Sequence, residues 1–455
     1  MLLMHRLEAY ATDAQAGSLC YSVCRARIGH APRSPNRALA HLSGGVLGTL
    51  RALRGNARGA ILTEPLWGIP FHLFAPYASI YMVALGLTDG QVGLVTSVSL
   101  AAQVVFALLS GVIADKMGRR RATLVFDILA WSVPCLIWAG ARNLVWFLIA
   151  GLVHGTRRVP DNTWNLLLVE DTDPEDLVHI YSLAYIAGQL AVFFAPLAGL
   201  LISRYTLVPT VRGLYLLAFA LMTTKFVLLN ALVTETRQGR VRMEETSGRS
   251  LFALLGEIRG VARQAFSTRR TAYTIVLMAI VSIAIMIQGT FWSIIATQRI
   301  GIPARHIAYY PFARSLVMLA FLFVVVPRLR NVRFGGPMMA ALTAYAFGVL
   351  LVVVVPRGGY GLLLLSTVIE SAAYSVVATQ TECLTVWNVD PSERARIVSL
   401  AHVVVIACTT PFGWIAGALS DMNRALPFIM NGALLLLGVW VVHRLRGTEP
   451  GRPVS

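Results

Sequence analysis

Charge is scarce in this 455-residue chain: charged residues make up 13% of it against 56% hydrophobic, and the mean hydropathy is +0.66. A soluble globular domain carries about 25% charged residues. Half that density leaves too little polar surface to face water on all sides, which excludes a soluble enzyme or a nucleic-acid-binding protein. Lysine is nearly missing, with Lys116 and Lys225 the only two. Cysteine is sparse and unpatterned. Cys20, Cys24, Cys135, Cys383 and Cys408 fit neither a disulfide framework nor zinc-ligand spacing, so no metal site is expected. The N-terminus lacks a signal-peptide core, because charge interrupts MLLMHRLEAYATDAQ early. No G-x-x-x-x-G-K-S/T phosphate loop occurs either, so nothing points to nucleotide-driven work or to a bound cofactor.

Long apolar runs are what the chain has in abundance. Runs of about 20 apolar residues need lipid on their outer faces and satisfy their backbones as helices. Twelve spans are predicted, near 61–85, 91–114, 122–141, 144–168, 179–203 and 211–233, then 272–296, 306–327, 335–355, 360–386, 395–420 and 425–443. The polar stretch 234–271 divides them six and six. The expected organisation is an extension over 1–58, a six-helix bundle over 59–233, a linker over 234–271, a second bundle over 272–445 and a tail over 446–455. The extension is read as disordered. Within the linker, 250–266 has the pattern of an amphipathic helix lying on the membrane surface.

Arginine placement orients the spans. Of the 39 basic residues, 28 fall on the side that holds both termini and seven on the other. By the positive-inside rule both termini are cytoplasmic. The halves also echo each other. LLLVEDTDPEDLVHIYSL at 166–183 aligns with CLTVWNVDPSERARIVSL at 383–400, and Pro196 answers Pro411. Six spans return the chain to its starting side, so the repeat is parallel and any site sits between the halves at mid-membrane.

Between the second and third spans stands GVIADKMGRRR, residues 111–121. It resembles the G-x-x-x-D-R/K-x-G-R-R/K signature of the major facilitator superfamily (MFS), with Gly111, Asp115, Lys116, Gly118, Arg119 and Arg120 at every required position. The resemblance implies an all-α fold of twelve transmembrane helices in two bundles, and a role for this segment in latching one access state. The glycines allow a tight turn, and Asp115 is expected to face the positive end of a neighbouring helix. A second-half copy near 326–336 keeps basic residues but lacks the Gly-x-x-x-Asp part. In the fifth span, Ala191, Ala195, Pro196 and Gly199 form a degenerate version of the family's exporter motif, and their four-residue spacing also suits close helix packing. The fourth span has Gly151, His154 and Gly155 where many family exporters carry an arginine followed by a Gln-Gly pair.

An ionisable group inside a span is costly and functional by default. Glu64, Asp127, Arg157, Arg158, Asp161, Lys225 and Glu370 are the candidates, five of them at comparable depth on the first, third and fourth spans. The resemblance implies that the first, fourth, seventh and tenth spans line a cavity. Glu64, Arg157, Arg158, Asp161 and Glu370 are then candidates for the substrate or proton path. Glu370, near mid-membrane with no basic neighbour on its own span, is the favoured proton site. Gln288 and Trp292 fall four apart on the seventh span and so share a face of that cavity. Asp127 and Lys225, on spans peripheral in the family, are read as a structural pair. His72 and His154 read as hydrogen-bonded spacers.

The sequence thus predicts a monomeric, multi-pass secondary transporter of a bacterial inner membrane, moving a small solute by alternating access with protons as the coupling ion. Efflux is slightly favoured over uptake. The alternatives are an uncoupled uptake permease for a small anionic or zwitterionic metabolite and a transport-dead sensor. An enzyme would need a nucleophile with its base or a metal pair, and neither is visible.

Overall fold

The computed structural model describes residues 55–172, 177–246, 269–324, 335–387 and 394–446. The amphipathic stretch 250–266, the paired Asp-Pro loops, most of the 1–58 extension and most of 326–336 lie outside the described residues. What is described is helical and builds twelve spans in two six-helix bundles.

Among the described residues, nine helices are long and apolar enough to cross a membrane: Asp89–Met117, Arg119–Gly140, Leu183–Tyr205, Leu207–Leu232, Arg270–Arg299, Gly335–Val354, Tyr360–Thr381, Leu400–Met422 and Leu426–Leu445. The first, fourth and eighth spans complete the twelve, and sequence explains why two of them are interrupted. The first runs as Gly55–Thr63, Pro65–Phe74 and Ala78–Ala84 with a 3-10 turn at Ala75–Tyr77. Pro65, Pro70 and Pro76 each remove a backbone donor along it. Its helix already includes Gly55, ahead of the predicted start at 61, because the inner turn carries Asn56 and Arg58 outside the apolar run. The fourth span is Leu144–His154, a 3-10 turn Gly155–Arg157, and Arg158–Val169. Pro160 cannot donate to the carbonyl of Thr156, which loosens the helix at that turn. The eighth is Tyr309–Val324.

Burial sorts the helices by position. The apolar window of the seventh span is 83% buried and that of the tenth 61%, against 39–44% for the other seven of these helices. The seventh and tenth therefore face protein on most sides, while the rest turn residues such as Leu152, Leu200, Phe347 and Val354 to lipid.

The halves meet at the end away from the signature loop. The second span packs along the eleventh through small residues: Gly93 against Gly413 and Gly417, with no room for a Cβ at either contact. Ser97 donates to the Thr410 carbonyl at 2.6 Å and accepts from the Trp414 amide at 2.8 Å. At the tip, Asp89 accepts from Ser420 at 2.8 Å and pairs with Arg424 at 3.0 Å. Phe193 and Phe312 join the fifth and eighth spans edge to face. Close backbone approach with hydrogen bonds, rather than a hydrophobic drive, is what associates helices in lipid.

Gly93→Leu is expected to force this seam open. Spin labels on the exposed Ala84 and Met422 will report a longer, broader distance distribution in the variant than in wild type.

Candidate functional site

Between the halves lies a cavity with about 990 Å³ of atom-free space, its mouth included. Phe71 and His72 of the first span, Gln189 of the fifth, Gln288, Trp292 and Ser293 of the seventh, Tyr310 and Arg314 of the eighth and Glu370 of the tenth are in its wall. Helical spacing accounts for the clustering. Gln288 and Trp292, and likewise Tyr310 and Arg314, are four apart and so share a face of their helices.

The chemistry concentrates in one corner. Arg314 Nη1 lies 3.3 Å from Glu370 Oε1, joining the eighth and tenth spans. Gln288 Nε2 donates to the other carboxylate oxygen of Glu370. The arginine also sits over the Tyr374 ring, 5.4 Å from its centre. Glu370 is 2% exposed, and Gly348 leaves its helix so close to Glu370 that a Cβ there would stand 3.0 Å from the Glu370 amide nitrogen. One residue along the eighth span, Ser315 donates to Gln189 of the fifth, a hydrogen bond from one half to the other beside the ion pair.

Of the predicted path residues, Gln288, Trp292 and Glu370 line this cavity. Glu64, Arg157, Arg158 and Asp161 are not in its wall. Glu64 pairs with Lys225 at 3.3 Å, which corrects the expected pairing of Lys225 with Asp127. The reason is azimuth: the first and sixth helices touch so closely that a Cβ on Gly59 would meet Leu232 at 3.1 Å. Lys225 also lies over the rings of Trp164 and Phe226, at 5.9 and 5.5 Å. Asp127 is fully buried on the third span. Arg157 and Arg158 both reach Asp161 at 3.8 Å, and Arg158 donates to Gln103 at 3.0 Å. Adjacent residues on a helix diverge, and here Arg157 is buried while Arg158 is partly exposed. His154 sits 2.7 Å from the Ala130 carbonyl, as a spacer would.

The signature segment is a compact charge cluster. Gly118, at φ 78°, turns the chain from the second span into the third. Glu235, not Asp115, occupies the positive helix end: it accepts from the backbone amides of Arg119 and Arg120 at 2.8 and 3.0 Å. Asp115 instead pairs with Arg119 at 3.1 Å and with Arg242 at 3.8 Å. Arg119 bridges onward to Glu170 at 3.0 Å, and Arg120 donates to the Asn230 carbonyl at 2.9 Å. Arg242 belongs to an unpredicted helix, Arg237–Thr246, that folds the start of the linker back onto this cluster. In the fifth span, Ala191 packs at 3.0 Å from where a Gly68 Cβ would be, and Gly199 touches the Arg305 carbonyl.

The sequence model of the Major Facilitator Superfamily matches residues 67–378. The chain belongs to that superfamily. Among solved structures, a crystal structure of the nucleoside transporter NupG is similar to this MFS protein at 15% identity and a TM-score of 0.65, covering 87% of this chain and 100% of that one. A POT family transporter in complex with 5-aminolevulinic acid matches at 14% identity and a TM-score of 0.66, covering 88% and 100%. A bacterial homologue of the human lysosomal transporter Spinster, in an inward-facing and occupied conformation, matches at 13% and 0.59, covering 93% and 100%. At such identities the likeness is one of fold. No curated protein matches by sequence. Family and fold together make this a multi-pass membrane protein and a secondary transporter of a small molecule.

Arg314 and the residues Gln189, Glu170 and Glu235 were not singled out from sequence. Arg314 and Gln189 stand inside apolar runs, which was signal enough; the two glutamates sit at span ends, where a charge is ordinary.

The Glu64–Lys225 pair is expected to behave as a buried unit. Removing one partner strands the other charge and costs about 3–5 kcal/mol, whereas replacing both is far milder. In thermal melts of purified protein, Lys225→Met will therefore lose more stability than the Glu64→Gln/Lys225→Met double variant.

Proposed function

We propose that this transporter couples the movement of a small, carboxylate-bearing solute to protons, with Glu370 as the proton site and Arg314 as the solute site. The observation that carries this reading is the Arg314–Glu370 pair in the cavity wall. With Glu370 ionised, the arginine is answered internally. Protonation of Glu370 removes that answer and frees the guanidinium to take a carboxylate from the solute, since a buried charge without a partner is expensive. Proton and anion then enter the site together. Co-occupancy makes the cycle a symport, which under an inward proton gradient means uptake.

The fifth-span stripe of Ala191, Ala195, Pro196 and Gly199 had favoured efflux. Contacts of Ala191 with the Gly68 position and of Gly199 with Arg305 give it a packing role, so it no longer weighs against uptake. The arginine distribution supports a signature loop and termini in the cytoplasm of a bacterial inner membrane. In that orientation the closed seam between the halves, from Asp89 to Trp414, is periplasmic. The conformation is then one that opens to the cytoplasm, and the signature cluster latches the first bundle alone to its linker helix. The protein acts as a monomer in this scheme.

Proteoliposomes carrying a pH gradient, offered a panel of labelled small carboxylates, test the reading. Wild type is expected to accumulate a carboxylate when the outside is acidic. Glu370→Gln will exchange the same solute across the membrane but lose accumulation driven by the gradient. Accumulation by Glu370→Gln equal to wild type, or exchange in wild type that ignores the gradient, would contradict it.

A further inference from the structure

Charge sets the first limit on the solute. Among the described residues, Arg314 and Glu370 are the only charged side chains in the cavity wall. Glu64, Lys225, Arg157, Arg158 and Asp161 have their charges paired outside it. His72 is buried and makes no ion pair among the described residues, so it counts as neutral. With Glu370 protonated, the wall carries one net positive charge, on Arg314, and a single carboxylate balances it. A second carboxylate would meet no cation there, and an ammonium would meet no anion. Each unanswered charge inside the membrane is costly.

The second limit comes from two levels of the wall that contacts across it fix. At the first level, Arg314 and Gln288 both reach Glu370, and Ser315 reaches Gln189. The seventh and eighth spans are antiparallel, so one turn onward from this level means Trp292 on one and Tyr310 on the other. Those two rings do meet, with centres 5.0 Å apart. The aromatic level therefore lies about 6 Å from the ion pair, four residues at ~1.5 Å each. Val192, three residues on from Gln189, is in the wall as well and brings the fifth span to the aromatic level. Few polar groups remain to greet hydroxyls. Gln288 is held by Glu370, Gln189 by Ser315 and Thr367 by the Leu363 carbonyl, while His72 Nε2 and Ser293 Oγ are sealed from solvent.

We propose that the solute is an amphipathic monocarboxylate, its one carboxylate on Arg314 and an uncharged apolar body of about ring size against Trp292, Tyr310 and Val192. This rests on the roles proposed above for Arg314 and Glu370. Dicarboxylates and amino acids are shut out by their additional charge, and sugars by hydroxyls that the wall cannot answer. The apolar body is favoured because it leaves water for apolar surface. Since Val192 belongs to the first bundle and Arg314 to the second, a bound solute touches both halves.

Four acids built on one skeleton test this by isothermal titration of full-length protein in detergent at neutral pH: 3-phenylpropionate, phenylalanine, benzylmalonate and propionate. Relative to the first, phenylalanine adds an ammonium, benzylmalonate adds a carboxylate and propionate lacks the ring. Wild type is expected to bind 3-phenylpropionate about tenfold or more tighter than each of the others. In Trp292→Ala the advantage over propionate will fall by about threefold or more, while the advantage over phenylalanine, which charge sets, is kept. If Trp292→Ala does not fold, Tyr310→Leu decides. Repeating the titrations in buffers of different ionisation enthalpy counts the protons taken up and so reads the coupling separately. Any of the other three acids binding as tightly as 3-phenylpropionate, an advantage over propionate that neither variant reduces, or binding of none of the four would overturn the inference. A proton taken up with one of those other acids would do so while leaving the coupled reading intact. Preference for 3-phenylpropionate with no proton taken up would support the amphipathic class and contradict the coupling.

Discussion

A charge in the interior of a membrane must be answered by another, and the arrangement of this protein follows from that constraint. Lipid offers no hydration, so each ionised side chain is worth several kcal/mol of cost unless a partner stands within reach. Glu64 finds Lys225, Asp161 finds Arg157 and Arg158, and Glu370 finds Arg314. Two of these three groupings tie together helices far apart in sequence, and so act as cross-links within a bundle. What separates Glu370 and Arg314 from the rest is location. Theirs is the ion pair in the wall of the central cavity, where a solute and a proton can compete for its members.

The two bundles are divided in labour around that pair. The first carries its charges away from the cavity and uses them to hold its own helices, including the interrupted fourth span at Gly155–Arg157. It offers the cavity aromatic and neutral polar groups, Phe71, His72 and Gln189. The second offers the charges. Between them the seam of Gly93, Ser97, Gly413 and Gly417 closes one end of the passage without a hydrophobic interface. Such a seam is held by close packing and a few hydrogen bonds, so moderate binding energy can undo it. At the other end, Glu235 and Arg242 bring the linker helix against Asp115, Arg119 and Arg120, giving the signature residues partners in their own half.

Much of this was legible in the sequence, because lipid makes hydropathy and arginine placement unusually direct signals. The twelve spans, the two bundles and the superfamily followed from apolar runs and from Gly111 through Arg120. Depth was legible as well, since residue number converts to height along a helix. Azimuth was not. Lys225 and Asp127 share a plausible depth, yet Lys225 turns to Glu64 because the first and sixth helices approach closely at Gly59. For the same reason Arg157, Arg158 and Asp161 stay out of the cavity wall, while Glu370 gains from the eighth span a basic neighbour that its own span lacks. The linker helix Arg237–Thr246 escaped notice because it is polar but for Val241 and Met243, and two apolar residues leave no helical periodicity to read.

The central claim is that Glu370 takes up a proton inside the cavity and gives up its hold on Arg314. Infrared difference spectroscopy of the reconstituted protein on acidification measures this most directly, and it needs no solute. The account predicts a protonated-carboxyl band that grows as the pH falls in wild type and is missing from Glu370→Gln. A band of the same size in Glu370→Gln would place the proton on another carboxyl and contradict it.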